Sequence, residues 1–113
     1  METYEIRRGD SFNIPFYPVF NNQVLPSNLI RYVEITIGEL TKTFDDGVLY
    51  RDYTLLYPLT EEDTYGFIAG SKMHSQVRMV LNPAGNIVSF DGPNFTVKET
   101  LSTDRIGDKI RIR

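Results

Sequence analysis

The sequence predicts an all-β fold: a two-sheet sandwich of about seven to nine antiparallel strands, immunoglobulin-like or Greek-key in type, with one short helical turn near residues 60–66. Three observations predict it. Apolar and polar residues alternate with period two along most of the chain, the mark of a half-buried strand. Turn chemistry built from glycine, proline, asparagine and aspartate interrupts that alternation roughly every eight to twelve residues. No segment carries the apolar spacing of a long helix. Alternation does not separate two packed sheets from a closed one, so a small β-barrel is the alternative.

Each element follows from its residues. Tyr4 to Arg7 reads as a first strand, and Arg8-Gly9-Asp10 as the turn after it. Phe12, Ile14 and Phe16 then alternate with Ser11, Asn13 and Pro15, placing the three rings and chains inward. Pro15 and Pro18 cannot donate to a ladder, so this strand is expected at a sheet edge. Asn21-Asn22-Gln23 and Pro26-Ser27-Asn28 are polar turns, with Val24 and Leu25 inward between them. Tyr32 to Ile37 is the clearest strand, with Val33, Ile35 and Ile37 on one face. A slip of one residue would bury Glu34, so its register is fixed.

Asp45-Asp46-Gly47 lies between β-prone flanks and predicts a hairpin joining 41–44 to 48–50. A second turn at Arg51-Asp52 leads to the strand Tyr53 to Tyr57, which Pro58 is expected to end. Thr60-Glu61-Glu62-Asp63 has the form of a capping box, with Asp63 in place of the usual glutamate. Val77, Met79 and Leu81 share a face in the next strand, and Val80 marks cover on both sides. Asn82 to Asn86 predicts a hairpin into Ile87 to Phe90. After the break at Asp91-Gly92-Pro93-Asn94, Phe95, Val97 and Leu101 point inward.

Composition limits the function classes. The chain has 113 residues, enough for one core: a domain over residues 1–104 and a C-terminal extension, 105–113, that is either a last strand or an arm. A net charge of −3 offers no basic face for nucleic acid. With no cysteine, disulfides, thiolate zinc sites and thiol catalysis are all excluded. Met1 to Glu5 lacks the apolar stretch of a secretory signal, and no run reaches membrane-spanning length.

No motif assembles into a reactive site. His74 is the single histidine, with no second histidine or cysteine to complete a metal set. Asp45-Asp46 fits turn chemistry, and Glu61-Glu62-Asp63 fits the first turn of a helix, where negative charge is favourable. Neither has the spacing of a calcium loop. Arg8-Gly9-Asp10 matches an integrin-binding tripeptide, but a glycine turn accounts for it. The expectation is a non-enzymatic protein with no catalytic, cofactor or metal residues and no small-molecule substrate. Among its seven tyrosines and seven phenylalanines, Phe12, Phe16, Phe95 and Tyr57 fall to the core. Tyr17, Tyr32, Tyr50 and Tyr65 are unassigned, and exposed together they would form a binding platform. At the C-terminus, Ile110 and Ile112 alternate with Lys109, Arg111 and Arg113, making these five the candidate partner-binding residues. Such a segment can complete the domain's own sheet or add to a neighbour's edge.

Four stretches together resemble small structural proteins of Gram-positive prophages and bacteriophages, and more loosely the immunoglobulin-like N-terminal domain of siphophage baseplate upper proteins. They are Arg8-Gly9-Asp10-Ser11-Phe12, Val33-Glu34-Ile35-Thr36-Ile37-Gly38, Leu56-Tyr57-Pro58-Leu59-Thr60-Glu61-Glu62-Asp63-Thr64 and Ser75-Gln76-Val77-Arg78-Met79. The regions that follow the domain in the baseplate proteins have no counterpart in this sequence. The resemblance implies a virion component of tail or baseplate, made in the host cytoplasm. Its partners would be other virion proteins or itself as a homo-oligomer, with neither nucleic acid nor membrane. The alternative is a carbohydrate- or receptor-binding, adhesin-like module.

Overall fold

The protein is described by a computed structural model covering residues 3–101 and residue 106. The junction expected at 104–105 and the candidate residues Lys109, Ile110, Arg111, Ile112 and Arg113 lie outside the described residues.

The longest strand, β5 (Ile30–Ile37), organises one sheet. It pairs antiparallel with β10 (Ser75–Leu81) on one side and β6 (Leu40–Thr43) on the other, and β11 (Ile87–Asp91) completes the order β11–β10–β5–β6. Ile35 lies opposite Val77 and Val33 opposite Met79, and all four are fully buried. β-Branched and unbranched chains facing across a ladder are the unit of sheet stability, so this register fixes the inner face.

The opposing layer is built from two smaller sheets. β8 (Thr54–Leu59) is flanked by β2 (Phe12–Phe16) and β7 (Leu49–Arg51), and it buries Leu55, Tyr57 and Leu59. β12 (Asn94–Lys98) lies between β1 (Thr3–Arg7) and β9 (Lys72–Met73), and its pairing with β1 is parallel. A two-stranded ribbon, β3 (Val19–Phe20) with β4 (Gln23–Val24), closes on Asn21 and Asn22, both left-handed. Ile6, Ile14, Phe16, Leu55, Tyr57 and Phe95 join Val33, Ile35, Ile37, Val77 and Met79 in one hydrophobic cluster. The fold is an all-β sandwich, and among the described residues no sheet closes into a barrel. A helix, α1 (Glu61–Tyr65), sits where expected, with Thr60 and Asp63 forming a reciprocal capping box.

Several expectations are corrected. Asp45-Asp46-Gly47 is no hairpin: Thr43 caps a short 3-10 turn over Phe44–Asp46, Gly47 turns at φ +101°, and the chain crosses from one layer to the other. The hairpin lies one turn later, where Arg51 pairs with Thr54 across Asp52 and Tyr53, both at positive φ. Tyr53 therefore belongs to the turn. Pro58 does not end its strand, because the ladder with β7 stops at Leu56 and no partner on that side needs its missing N–H. Val24 and Leu101 are exposed, and Phe12 is 40% exposed at the start of β2, where it lines an open cleft.

Two reciprocal bonds join the layers. The buried Tyr57 hydroxyl of β8 donates to the Leu40 carbonyl of β6 at 2.8 Å. The Lys42 ammonium of β6 donates to the Pro58 carbonyl of β8 at 2.6 Å and to Asp63 Oδ2 of α1 at 2.6 Å, and it lies 5.4 Å from the Tyr57 ring centroid. Burial pushes the Tyr57 hydroxyl well above the ordinary tyrosine range, so it stays a donor. For Asp63 desolvation acts upward, but the Lys42 ammonium and the N–H and side chain of Thr60 outweigh it and hold the carboxyl below its ordinary value.

A carboxyl depressed in the folded state stabilises above its unfolded pKa and loses that contribution as pH falls through the folded value. Asp63→Asn should therefore cost about 1–2 kcal/mol at neutral pH. In urea titrations the gap to the parent should begin to shrink as pH falls below about 4, where the unfolded carboxyl takes up its proton, and should close once pH passes the depressed folded value. A gap constant from pH 7 to 3 would disprove this assignment.

Candidate functional site

The polar residues singled out in the sequence are occupied by structural roles. His74 is exposed, its Nδ1 lies 2.7 Å from Asn94 Oδ1, and its carbonyl accepts from Gly38 N–H. It thereby ties the β5–β6 turn to the start of β12. Asp46 accepts from the Thr43 N–H and hydroxyl, and Asp63 is held by Lys42 and Thr60. Among the described residues, no three acidic or histidine side chains are placed to share a metal ion.

The Arg8-Gly9-Asp10 turn is bound into the fold. Gly9 N–H donates to Thr64 Oγ1, which donates in turn to the Asp10 carbonyl. Arg8 reaches the Tyr65 carbonyl at 2.9 Å and Glu99 at 2.7 Å, with its guanidinium 5.7 Å from the Tyr65 ring centroid. A receptor loop needs its arginine extended into solvent, and this one is folded back onto α1.

The feature with binding geometry is a cleft of about 420 Å³ between β1 and β2. Both are edge strands among the described residues: β1 pairs only with β12, and β2 only with β8. Ile14, Phe16 and Phe95 line its buried part, and the exposed rings of Tyr4, Phe12 and Tyr17 stand at its rim. Glu5 and Asp91 supply its charged groups. A wider depression of about 700 Å³ beside Phe67, Ile68 and Met73 opens broadly to solvent, and its half-buried carboxylate, Asp63, is already taken by Lys42.

The backbone of the cleft follows from strand geometry. Alternate residues of an edge strand turn their N–H and C=O away from the ladder. Arg8 N–H bonds to the Lys98 carbonyl, which sets the phase: Glu5 directs its backbone outward from β1. In β2 the pairs Asn13–Pro58 and Pro15–Leu56 contain prolines and suit the non-hydrogen-bonded positions, and the Pro58 carbonyl indeed faces away to Lys42. Asn13 and Pro15 therefore face outward, and Pro15 has no N–H to offer. One wall of the cleft can pair with an added strand, and the other is blocked at its middle.

Of the four unassigned tyrosines, only Tyr17 reaches this cleft. Tyr32 bonds to Glu34 on the outer sheet face, Tyr50 donates to the Leu25 carbonyl, and Tyr65 lies under Arg8. The sequence reading missed Tyr4, Phe12, Phe90 and Pro93 as lining residues, because none stands at a motif spacing. The signal that pointed toward them was Pro15, which marked β2 as an edge.

The described lining of the cleft is mainly apolar and aromatic, a surface that suits an apolar, extended group. Gly92 sets its depth: a Cβ there would collide with Ser75 Oγ and approach Phe16 Cε1 at 2.7 Å. Gly92→Ala should displace Phe16 and destabilise the fold by about 2 kcal/mol, read from the urea midpoint. An unchanged midpoint would show that the packing has slack.

Comparisons with protein-family models, curated proteins and solved structures find no match to this chain.

Proposed function

We propose that the protein is a non-enzymatic structural module of a bacteriophage or prophage particle, in tail or baseplate, that assembles through contacts with other virion proteins or with itself. The observation that carries this reading is the apolar cleft between two strands that are edges among the described residues. The sequence resemblance to phage structural proteins supplies the setting. Edge strands with unpaired backbone and alternating pockets are the usual means by which β modules take a partner's extended segment. The five residues Lys109, Ile110, Arg111, Ile112 and Arg113 are proposed as such a segment.

A specific feature favours a second reading, a carbohydrate-binding module. Tyr4, Phe12 and Tyr17 are exposed aromatic residues of the cleft lining, and rings stack on sugars. Sugar recognition also needs convergent polar groups, and among the described residues Glu5 and Asp91 are the charged side chains of the lining.

Mass spectrometry of particles purified from cells that carry the gene tests the first reading. The chain is expected at a fixed ratio to tail proteins, and its absence from intact particles would overturn the proposal. A glycan array separates the second reading, which predicts binding lost in Tyr17→Ala.

A further inference from the structure

We infer that the cleft between β1 and β2 receives the C-terminal segment of a second copy of this chain, with Lys109 to Arg113 added along β1 as a short strand. This rests on the assembly reading above and names the partner of its site.

Three observations converge. First, the shapes match: in an extended segment Ile110 and Ile112 point the same way about 7 Å apart, and the cleft offers an apolar floor of Ile14, Phe16 and Phe95 under an aromatic rim. Second, the charges match. Residues 105–113 hold four of the chain's twelve cations and one of its fifteen acids, which leaves −6 on residues 1–104. Asp91 brings negative charge to the cleft itself, with Glu5, shared with Arg7 at 3.6 Å, in the same lining, and Lys109, Arg111 and Arg113 would meet that charge. Third, the backbone permits one added strand and no more. Glu5 turns its N–H and C=O outward from β1, while Pro15 withholds a donor on the β2 side. A strand can pair on β1 and press its apolar face into the cleft without being zipped on both sides. Such a head-to-tail contact repeats from copy to copy and closes into a ring when the rotation allows.

The test uses the full chain and two variants altered at opposite ends of the contact. Ile110→Asp with Ile112→Asp spoils the segment and leaves the cleft, whereas Tyr17→Asp spoils the rim and leaves the segment. Circular dichroism checks that both stay folded. By analytical ultracentrifugation the parent should self-associate, and each variant alone should be monomeric. Mixing the two variants should restore a one-to-one complex, because one supplies the cleft and the other the segment. That complex should weaken about tenfold when salt is raised from about 0.1 to about 0.5 M, as a contact between opposite charges requires.

If both variants associate as the parent does, the segment-in-cleft contact is wrong while the assembly reading stands. If the variants are monomeric but the mixture stays so, the contact is equally wrong. A monomeric parent also overturns it, leaving assembly with other virion proteins to the particle experiment. Titration of the parent with a proline-rich peptide or a sugar that shifts the Tyr17 resonance, when the peptide Gly107 to Arg113 shifts nothing, would assign the cleft to another occupant.

Discussion

The sandwich depends on a reciprocal latch between its two layers. β8 donates through the Tyr57 hydroxyl to β6, and β6 donates through Lys42 to β8 and to the cap of α1. Each donor is buried or nearly so, where an unmade bond costs more than in water. Tyr57 is fully buried, and the side chains of Lys42 and Asp63 are 11% and 20% exposed. The latch fixes the height of β6 over β8, and with it the crossing at Gly47 and the start of α1. From α1, Thr64 and the Tyr65 carbonyl grip the Arg8-Gly9-Asp10 turn. That turn joins β1 to β2, so the grip holds the two walls of the cleft apart.

Open edges are a hazard that β proteins manage explicitly. Here Pro15 blunts β2. Four outer strand segments, β3, β4, β7 and β9, are only two or three residues long. The edge of β1 borders a pocket of rings, and Glu5 directs both backbone groups outward from its ladder with β12. Among the described residues the β1 edge lies beside an apolar cleft, and the assembly proposal rests on that juxtaposition. This is the physical content of the assembly reading, and it explains why side-chain motifs for catalysis contribute nothing to it.

Much of the fold was legible in the residues. Val33, Ile35 and Ile37 announced β5 and its inward face, Pro15 announced an edge, and Thr60 with Asp63 announced the capped helix. These are local signals, in which period, ring geometry or a cap fixes the outcome within a few residues. The Asp45-Asp46-Gly47 reading failed because glycine at positive φ serves a crossover as readily as a hairpin. Phe12 and Leu101 were misplaced because alternation assigns a face without telling where the covering layer ends.

The sequence by itself determined the all-β class, the inward face of the strand Tyr32 to Ile37, the capped turn at 60–66 and the lack of thiol chemistry. Period-two patterning, capping and composition are properties of neighbouring residues. Only the tertiary structure decided that β1 would lie parallel to β12 and that Tyr57 and Lys42 would latch the layers. It also decided that Tyr4, Phe12, Tyr17 and Pro93 would meet around one cleft. Those contacts join residues tens of positions apart, and long-range pairing is chosen by the packing of the whole core, which no local spacing records.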